Sequence, residues 1–410
     1  VEEDIATMSR DGLRVIGVAR ARFAEEDLPL DQHDFEFEFL GLVGFADPVR
    51  QDVPAAVAEC YTAGIRVVVI TGDYPGTALD VARRIGLRGG DRCMTGPEID
   101  RMDDAELGAR MGDVNVFARV VPGQKLRIVE ALKARGEVVA MTGDGVNDAP
   151  ALKAAHIGIA MGARGTDVAR EASDLVLLDD DFSSIERAVR SGRRIYDNLR
   201  KAMAYIVAVH VPIAGMSLIP VLFKRDLVLM PVQIAFLELV IDPACSIVFE
   251  GQREEPGIMN RPPRRVSDPL LGRRVLLFSL VQGLAALAIV AMVWGFSLAA
   301  AEAADEAAVA RTLAFATLVF TNLGLIVANR SWTGTLVHDL RSGGRALWLV
   351  MGGALLFLAL VLYVPALREL FRFSRPGAPA LLACAAAGLA GLGLFEAIKA
   401  AWFRQGRALG

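Results

Sequence analysis

Residues 141–152, which read MTGDGVNDAPAL, are the part of the chain best suited to chemistry. Their two carboxylates, Asp144 and Asp148, stand four residues apart on a glycine-containing turn that follows an apolar run. Such a turn can hold a hard cation such as Mg²⁺ close to a phosphoryl group, and glycine lets the backbone approach the ligand. The simpler alternative is a strand-to-helix turn in which Asp or Asn caps the helix. The length of the motif favours the magnesium and phosphoryl site.

A second pair of carboxylates, Glu238 and Asp242, lies in an apolar segment. Their spacing of four residues places both on one face of a helix, and Pro243 directly afterwards can unwind that helix. Ionisable side chains are costly inside a membrane and therefore mark functional positions. The pair is predicted to line an ion path.

The elements that must position the first pair are short strands and helices. Residues 65–70 and 138–141 predict strands, and each ends at a Thr-Gly-Asp turn before a helical pattern at residues 77–85 or 147–155. Residues 157–161 and 175–178 predict two more strands. The expected fold is an α/β doubly wound parallel sheet with functional residues at the carboxyl ends of its strands.

From residue 202 onward the chain has the character of a membrane protein. Six apolar segments are long enough to form transmembrane helices: 202–223, 227–249, 275–300, 313–328, 346–364 and 380–403. Arginines are concentrated in the loops after the second and fourth segments, whereas the loop after the third carries Glu302, Asp305 and Glu306. The positive-inside rule therefore predicts that the soluble half and both ends of the chain are cytoplasmic.

Charge and cysteine content exclude some classes of protein. A net charge of −4 without a basic patch argues against a nucleic-acid partner. The four cysteines have no C-x-x-C spacing, which argues against a disulfide framework and a structural zinc site. The first ten residues have no initiator methionine and no apolar core, so no signal peptide is expected there.

Residues 141–152 resemble the hinge signature of P-type ATPases, a branch of the haloacid dehalogenase-like superfamily. Three further matches occur in the order that this family requires: Asp47-Pro48-Val49-Arg50, Thr71-Gly72-Asp73 and Pro122-Gly123-Gln124-Lys125. The resemblance extends over essentially the whole chain, from residues 12–15 to the sixth apolar segment. The sequence is similar to the carboxy-terminal part of a calcium-pump-like cation transporter.

The resemblance implies a role for each polar residue around the turn. Thr71 and the backbone of Gly72 would bind the phosphoryl oxygens, and Lys125 would neutralise their charge. Asp144, joined by Asp148, would hold Mg²⁺.

Four further assignments follow from the same resemblance. Asn147 and Asp148 would orient the phosphoryl group and Lys125. Asn147 and Lys125 would also bind the cofactor. Asp73 belongs to the catalytic set, although a helix cap is its alternative. Arg50 is a nucleotide-binding or domain-hinge residue, with a structural turn as its alternative. The implied cofactors are Mg²⁺ and ATP.

The nucleophile of this family is the Asp of a D-K-T-G-T sequence, which does not occur in these 410 residues. The chain is therefore expected to be a fragment that lacks the amino-terminal half of the same pump. Residues 1–35 correspond to the end of the nucleotide-binding domain, 36–200 to the second part of the phosphorylation domain, and 201–410 to a transmembrane domain of six spans.

In the membrane half, the resemblance suggests ligands for the transported cation. Glu238 and Asp242 resemble such ligands, and His210 and Asn322 fall where calcium pumps place theirs. An interhelical hydrogen bond is the alternative for His210, and packing polarity is the alternative for Asn322. Ile213 stands where calcium pumps present a carboxylate, which puts a calcium site of the usual composition in doubt.

The expected function is ATP-driven cation transport through an aspartyl-phosphate intermediate. The expected partners are the transported cation, the missing amino-terminal half and membrane lipid. The chain is expected to be a multi-pass integral protein of the plasma membrane. A truncated, non-catalytic membrane protein that binds a partner pump or Mg²⁺ is the alternative. The intact polar cluster argues against that alternative, because a chain without phosphoryl chemistry has little need of it.

Overall fold

The computed structural model describes residues 1–22, 31–300, 306–332, 334 and 344–404. The chain divides into two compact units. The first unit comprises Val1–Arg190 with Met259–Pro263, and the second comprises Ser191–Ile258 with Arg264–Gly410.

The first unit begins with helix α1 (Glu2–Arg10) and an antiparallel hairpin. Strand β1 (Arg14–Arg20) pairs with β2 (Glu38–Phe45), and a β-bulge lies between Val18 and Ala19. The hairpin exposes large apolar side chains at Ile16, Val18, Phe39, Leu40, Val43 and Phe45. A sheet face this apolar is normally covered by another element.

The other strands of the first unit are parallel, which confirms the α/β prediction. They are β3 (Val69–Ile70), β4 (Cys93–Thr95), β5 (Val116–Ala118), β6 (Ala140–Gly143), β7 (Ile157–Met161) and β8 (Leu175–Leu177). These strands form two sheets of three strands, with orders β3-β5-β4 and β6-β7-β8, where one continuous sheet was expected. The reason is that β3 and β6 each have one edge that pairs with no described strand.

Helices cover these sheets and bury their apolar clusters. They are α2 (Val53–Thr62), α3 (Pro75–Arg84), α4 (Gly96–Asp100), α5 (Asp104–Arg110), α6 (Pro122–Ala134), α7 (Ala149–Ala154) and α8 (Asp167–Ala172). Strand β5 is fully buried, as expected for a parallel strand covered on both faces. Ile70 and Val139 pack against the core of both sheets. The unpaired edges of β3 and β6 therefore border one shared apolar region.

The second unit is helical. Helix α9 (Ser183–Leu222) contains residues of both units and is followed by α10 (Pro231–Pro243), α11 (Arg273–Ala300), α12 (Glu306–Asn329), α13 (Arg345–Tyr363), α14 (Pro365–Leu370) and α15 (Ala378–Arg404). The side chain of Asp181 accepts hydrogen bonds from the backbone and hydroxyl of Ser183 at the start of α9. The Ser183 hydroxyl, together with Asp52, lowers the pKa of Asp181 to about 2, so this carboxylate is ionised at neutral pH.

Among the residues that the structure describes, five helices are long and apolar enough to cross a membrane: Ser183–Leu222, Arg273–Ala299, Ala307–Asn329, Arg345–Tyr363 and Ala378–Phe403. The predicted count of six is not confirmed, because the second segment forms α10 of only 13 residues and then a π-helical turn at Ala244–Phe249. Pro243 lacks a backbone N–H and interrupts the α-helical hydrogen bonding at that point. The predicted acidic loop residues Glu302 and Asp305 lie outside the described residues.

Small residues bring the membrane helices close together. A Cβ on Gly388 of α15 would lie 2.5 Å from the Cβ of Phe320 on α12, and one on Gly283 of α11 would lie 2.7 Å from the carbonyl oxygen of Ala208 on α9. Such contacts are typical of helix packing in membranes, where dispersion forces replace the hydrophobic effect.

Candidate functional site

The turn after β6 is organised around Asp148. This residue ends a 3₁₀ turn (Val146–Asp148) and is buried. Its Oδ2 atom accepts hydrogen bonds from the backbone N–H groups of Asp144 and Gly145, each at 3.3 Å. Its Oδ1 atom lies 2.6 Å from the Nζ atom of Lys125. One carboxylate thus holds the turn in shape and pairs with a lysine from α6.

The Lys125–Asp148 ion pair joins the two sheets at their functional ends. Lys125 lies in the first turn of α6, after β5, whereas Asp148 follows β6 of the other sheet. The two side chains are only 17% and 9% exposed, so the pair is largely shielded from water. The structure thus brings Lys125 and Asp148 together, and the pair positions a cationic amine beside the glycine turn.

Glycine at position 143 is required by the approach of Asp148. A Cβ on Gly143 would lie 2.5 Å from the Cβ of Asp148, closer than two such atoms can come. A Cβ on Gly72, in the matching turn after β3, would meet its nearest atom at 3.8 Å, an ordinary contact.

We predict that Gly143→Ala destabilises the first unit by about 1–3 kcal/mol, because the added methyl group must displace Asp148 and its lysine. Gly72→Ala is the matched control, and its unfolding temperature should stay near that of the unsubstituted protein. Thermal unfolding of the purified protein in detergent checks both values. Equal unfolding temperatures for the two variants would contradict the packing described at Gly143.

Asp144 occupies the open side of the same turn. Its carboxylate is exposed and, within the described residues, forms no hydrogen bond or ion pair, while its backbone oxygen accepts the N–H of Thr166 at 2.9 Å. It lines a cavity of about 230 Å³ together with Arg50, Val53, Met161, Arg164, Asp180 and Phe182. The carboxylate is therefore available to a ligand in that cavity.

Thr71, Gly72 and Asp73 form a turn that is closed by its own side chains. The Thr71 hydroxyl donates to Asp73 Oδ2 at 3.0 Å, and the backbone N–H of Asp73 donates to the Thr71 oxygen at 3.1 Å. Asp73 also lies 3.7 Å from the Nε atom of Arg14. Its carboxylate thus orients Thr71, while the exposed Gly72 leaves that backbone open to a ligand.

Arg50 contacts a residue that sequence reasoning missed. Its Nη1 atom donates to the backbone oxygen of Asp180 at 2.5 Å. Asp180 has a left-handed backbone (φ 50°), and its carboxylate accepts the N–H groups of Ala163 and Arg164 at 3.0 and 2.9 Å. The only feature of the sequence that could have indicated a role for Asp180 is the run Asp179-Asp180-Asp181, which is typical of an ordinary acidic surface. Arg50 and Asp180 together line the cavity beside Asp144.

The residues present fit a magnesium ion. Mg²⁺ is commonly held by one or two carboxylates, several waters and phosphate oxygens, and the exposed carboxylate of Asp144 offers such a ligand. Asp148 is instead committed to Lys125 and to backbone N–H groups. Asn147 lies exposed in the 3₁₀ turn between the two. No group of three or more His, Cys, Asp or Glu side chains is arranged around a metal position in the part of the chain that the structure describes.

In the helical unit, the structure brings His210 and Glu238 together. The Nε2 atom of His210 on α9 lies 3.4 Å from Oε1 of Glu238 on α10, and Nδ1 of the same ring lies 2.8 Å from the backbone oxygen of Ile206. Both side chains are nearly half exposed, at 47% and 41%. A polar pair exposed on otherwise apolar helices can accept further ligands.

The structure says less about the other two predicted cation ligands, Asp242 and Asn322. Asp242 lies in α10, one turn after Glu238, but its side chain is outside the described residues. Asn322 is buried in α12, and within the described residues its Oδ1 atom has no hydrogen-bond partner. Ile213 is buried and apolar, one turn after His210.

Comparison with protein families gives two matches that together span most of the chain. Residues 5–156 match the haloacid dehalogenase-like hydrolase family, and residues 226–401 match the carboxy-terminal region of cation-transporting ATPases. The first match contains the two Thr-Gly-Asp turns and Lys125, and the second contains Glu238, Asp242 and Asn322.

Individual relatives agree with these matches. The chain is 39% identical to cation-transporting ATPase pma1 of Synechocystis over 86% of its length, and 38% identical to a calcium-transporting ATPase of Bacillus subtilis over 89%. It is also 35% identical over 92% of its length to calcium-transporting ATPase 1 of Saccharomyces cerevisiae. These alignments cover 39%, 41% and 40% of the respective relatives. The chain therefore spans about two-fifths of the length of these proteins.

Proposed function

Because the chain belongs to the P-type cation-transporting ATPases, we propose that it supplies the magnesium and phosphoryl half of an ATP-driven cation pump, together with its last membrane helices. The observation that carries this proposal is the Lys125–Asp148 pair beside the free carboxylate of Asp144. These groups provide a fixed positive charge and a magnesium ligand at the carboxyl ends of parallel strands, where open α/β sheets hold their ligands.

Each residue of the site has a distinct task in phosphoryl transfer. Thr71, oriented by Asp73, and the backbone of Gly72 bind the transferred phosphoryl oxygens. The amine of Lys125 neutralises charge on those oxygens, and Asp148 holds the amine in place. Asn147 orients the phosphoryl group from the turn between Asp144 and Asp148.

Asp144 would hold a bound Mg²⁺ ion, which would supply Lewis-acid stabilisation of the phosphoryl group. The other electrostatic stabilisation of the phosphoryl group comes from side chains of this chain, chiefly Lys125. Arg50, whose guanidinium is hydrogen-bonded to Asp180, borders the cavity next to Asp144 and provides positive charge on the nucleotide side.

The nucleophile comes from a segment outside these residues. In the proposed reaction, an aspartate oxygen attacks the γ-phosphorus of ATP, ADP leaves, and water later hydrolyses the aspartyl phosphate. Two features support an additional segment: the unpaired edges of β3 and β6, which border one apolar region, and the exposed apolar faces of the β1–β2 hairpin. The first is suited to a strand inserted between the two sheets, and the second to the rest of a nucleotide-binding domain.

The membrane helices carry the transported cation. The chain is an integral multi-pass membrane protein, and we place it in the plasma membrane with both ends in the cytoplasm. His210, Glu238, Asp242 and Asn322 form the cation path in this proposal. The half exposure of His210 and Glu238 fits a site that the amino-terminal half completes.

The test is cation-stimulated ATP hydrolysis by the full-length gene product in proteoliposomes. Glu238→Gln should leave ATP binding unchanged but raise the cation concentration for half-maximal stimulation at least ~10-fold, because it removes a charged ligand. Leu239→Ala, at the next and outward-facing position, is the control and should behave like the unsubstituted protein. Normal transport by Glu238→Gln would remove Glu238 from the site, and hydrolysis that no cation stimulates would overturn the proposed function.

A further inference from the structure

The histidine of the membrane pair is held in one tautomer. The backbone oxygen of Ile206 can only accept a hydrogen bond, so Nδ1 of His210, 2.8 Å away, carries the proton. The Nε2 atom of the neutral ring then presents a lone pair toward Glu238. Histidines that bind metals commonly donate their second ring N–H to a backbone carbonyl in this way, which fixes the orientation of the ring.

The separation of the two donor atoms fits a metal ion bound by both. In this tautomer the lone pair of Nε2 faces Oε1 of Glu238 at 3.4 Å, so an ion placed between the two atoms is bound by both. A tetrahedral ion with bonds of about 2.0–2.2 Å to nitrogen and oxygen separates two of its ligand atoms by about 3.4 Å. The observed distance is close to that value.

On the two helices that carry the pair, the side chains one turn away are mostly apolar. One helical turn away from His210 on α9 lie Ile206, Val207, Ile213 and Ala214, none of which has a side-chain oxygen. On α10 the corresponding neighbours of Glu238 are Ile234, Ala235, Ile241 and Asp242, so Asp242 is the only further carboxylate at that spacing. Calcium takes six to eight oxygen ligands, which makes a site built around an imidazole a poor match for it. Imidazole nitrogen suits first-row divalent transition metals.

From the paired geometry of His210 and Glu238, we infer that the transported ion is a divalent first-row transition metal, of the Mn²⁺ to Zn²⁺ series, bound through the imidazole. This inference rests on the proposed transport function and narrows its substrate. Glu238 supplies the negative charge, His210 supplies the selectivity for these metals, and water or other parts of the pump complete the coordination.

The experiment compares metals on the full-length protein in proteoliposomes with Mg²⁺ and ATP in excess. Stimulation of ATP hydrolysis is measured against free Mn²⁺, Co²⁺, Zn²⁺ and Ca²⁺ for the unsubstituted protein, His210→Gln, and the control Ser217→Ala, two turns further along α9. We expect half-maximal stimulation by at least one transition metal at a concentration at least ~10-fold below that of Ca²⁺. His210→Gln should reduce that preference ~10-fold or more, and Ser217→Ala should leave it unchanged.

A second readout does not depend on turnover. Co²⁺ bound by nitrogen and oxygen gives visible absorption bands, and these should appear on titration of the purified protein and be lost in His210→Gln. Stimulation by Ca²⁺ alone, together with no cobalt spectrum that depends on His210, would overturn this inference but leave the pump function intact. Failure of every cation to stimulate hydrolysis would instead contradict the proposed function itself.

Discussion

Asp144→Asn should abolish phosphoenzyme formation by the full-length protein. Asn keeps the shape and backbone contacts of Asp144, including the hydrogen bond from Thr166 to its carbonyl oxygen, but loses the negative charge that attracts Mg²⁺. Metal stabilisation of a phosphoryl group is worth several kcal/mol, so the rate should fall by at least ~100-fold. The measurement is incorporation of labelled phosphate from ATP at saturating Mg²⁺.

The control for this substitution is Asp179→Asn, a nearby exposed carboxylate that hydrogen-bonds to Ser184 and lies outside the cavity. It should retain normal phosphorylation. A phosphoenzyme level in Asp144→Asn equal to that of this control would show that Asp144 does not hold the metal.

Lys125→Met should have the second largest effect, on both stability and activity. The change leaves the buried carboxylate of Asp148 without its cation, and removal of one partner from a largely buried ion pair costs about 3 kcal/mol. It also removes the positive charge beside the phosphoryl group. We therefore expect a lower unfolding temperature in detergent and no detectable phosphoenzyme.

A double variant separates these two effects. In Lys125→Met with Asp148→Asn, no unpaired charge remains, and Asn can still accept the backbone N–H groups of Asp144 and Gly145 through its oxygen. Most of the lost stability should return, while phosphorylation stays absent. A double variant as unstable as Lys125→Met alone would mean that the ion pair is not the source of the instability.

The parallel strands could be predicted because their apolar runs end at glycine turns. Strand β7 coincides with the predicted residues 157–161, and β6 is shifted by two residues. Strand β3 is much shorter than its predicted run, since only Val69 and Ile70 pair with β5. A run of apolar residues indicates that a segment is buried, but the length of a strand depends on how many of its residues have a neighbouring strand to pair with.

Long-range contacts explain what the sequence left unpredicted. The role of Asp180 depends on a left-handed backbone and on Arg50, 130 residues earlier in the chain, and no local pattern encodes that contact. The length of α10 was overestimated because hydropathy does not register the lost hydrogen bond at Pro243. The meeting of His210 and Glu238 likewise follows from helix packing, whereas the i, i+4 spacing of Glu238 and Asp242 was readable directly.

The most direct test of the central claim is to phosphorylate the full-length gene product with ATP and examine the chemistry of the labelled protein. An aspartyl phosphate is an acyl phosphate, so the label should be stable in acid, be released by hydroxylamine, and depend on Mg²⁺, Asp144 and the transported cation. This result would establish that the site built by Thr71, Lys125 and Asp148 serves a phosphorylated aspartate. ATP hydrolysis without any hydroxylamine-sensitive label, or no hydrolysis under any cation, would contradict the account.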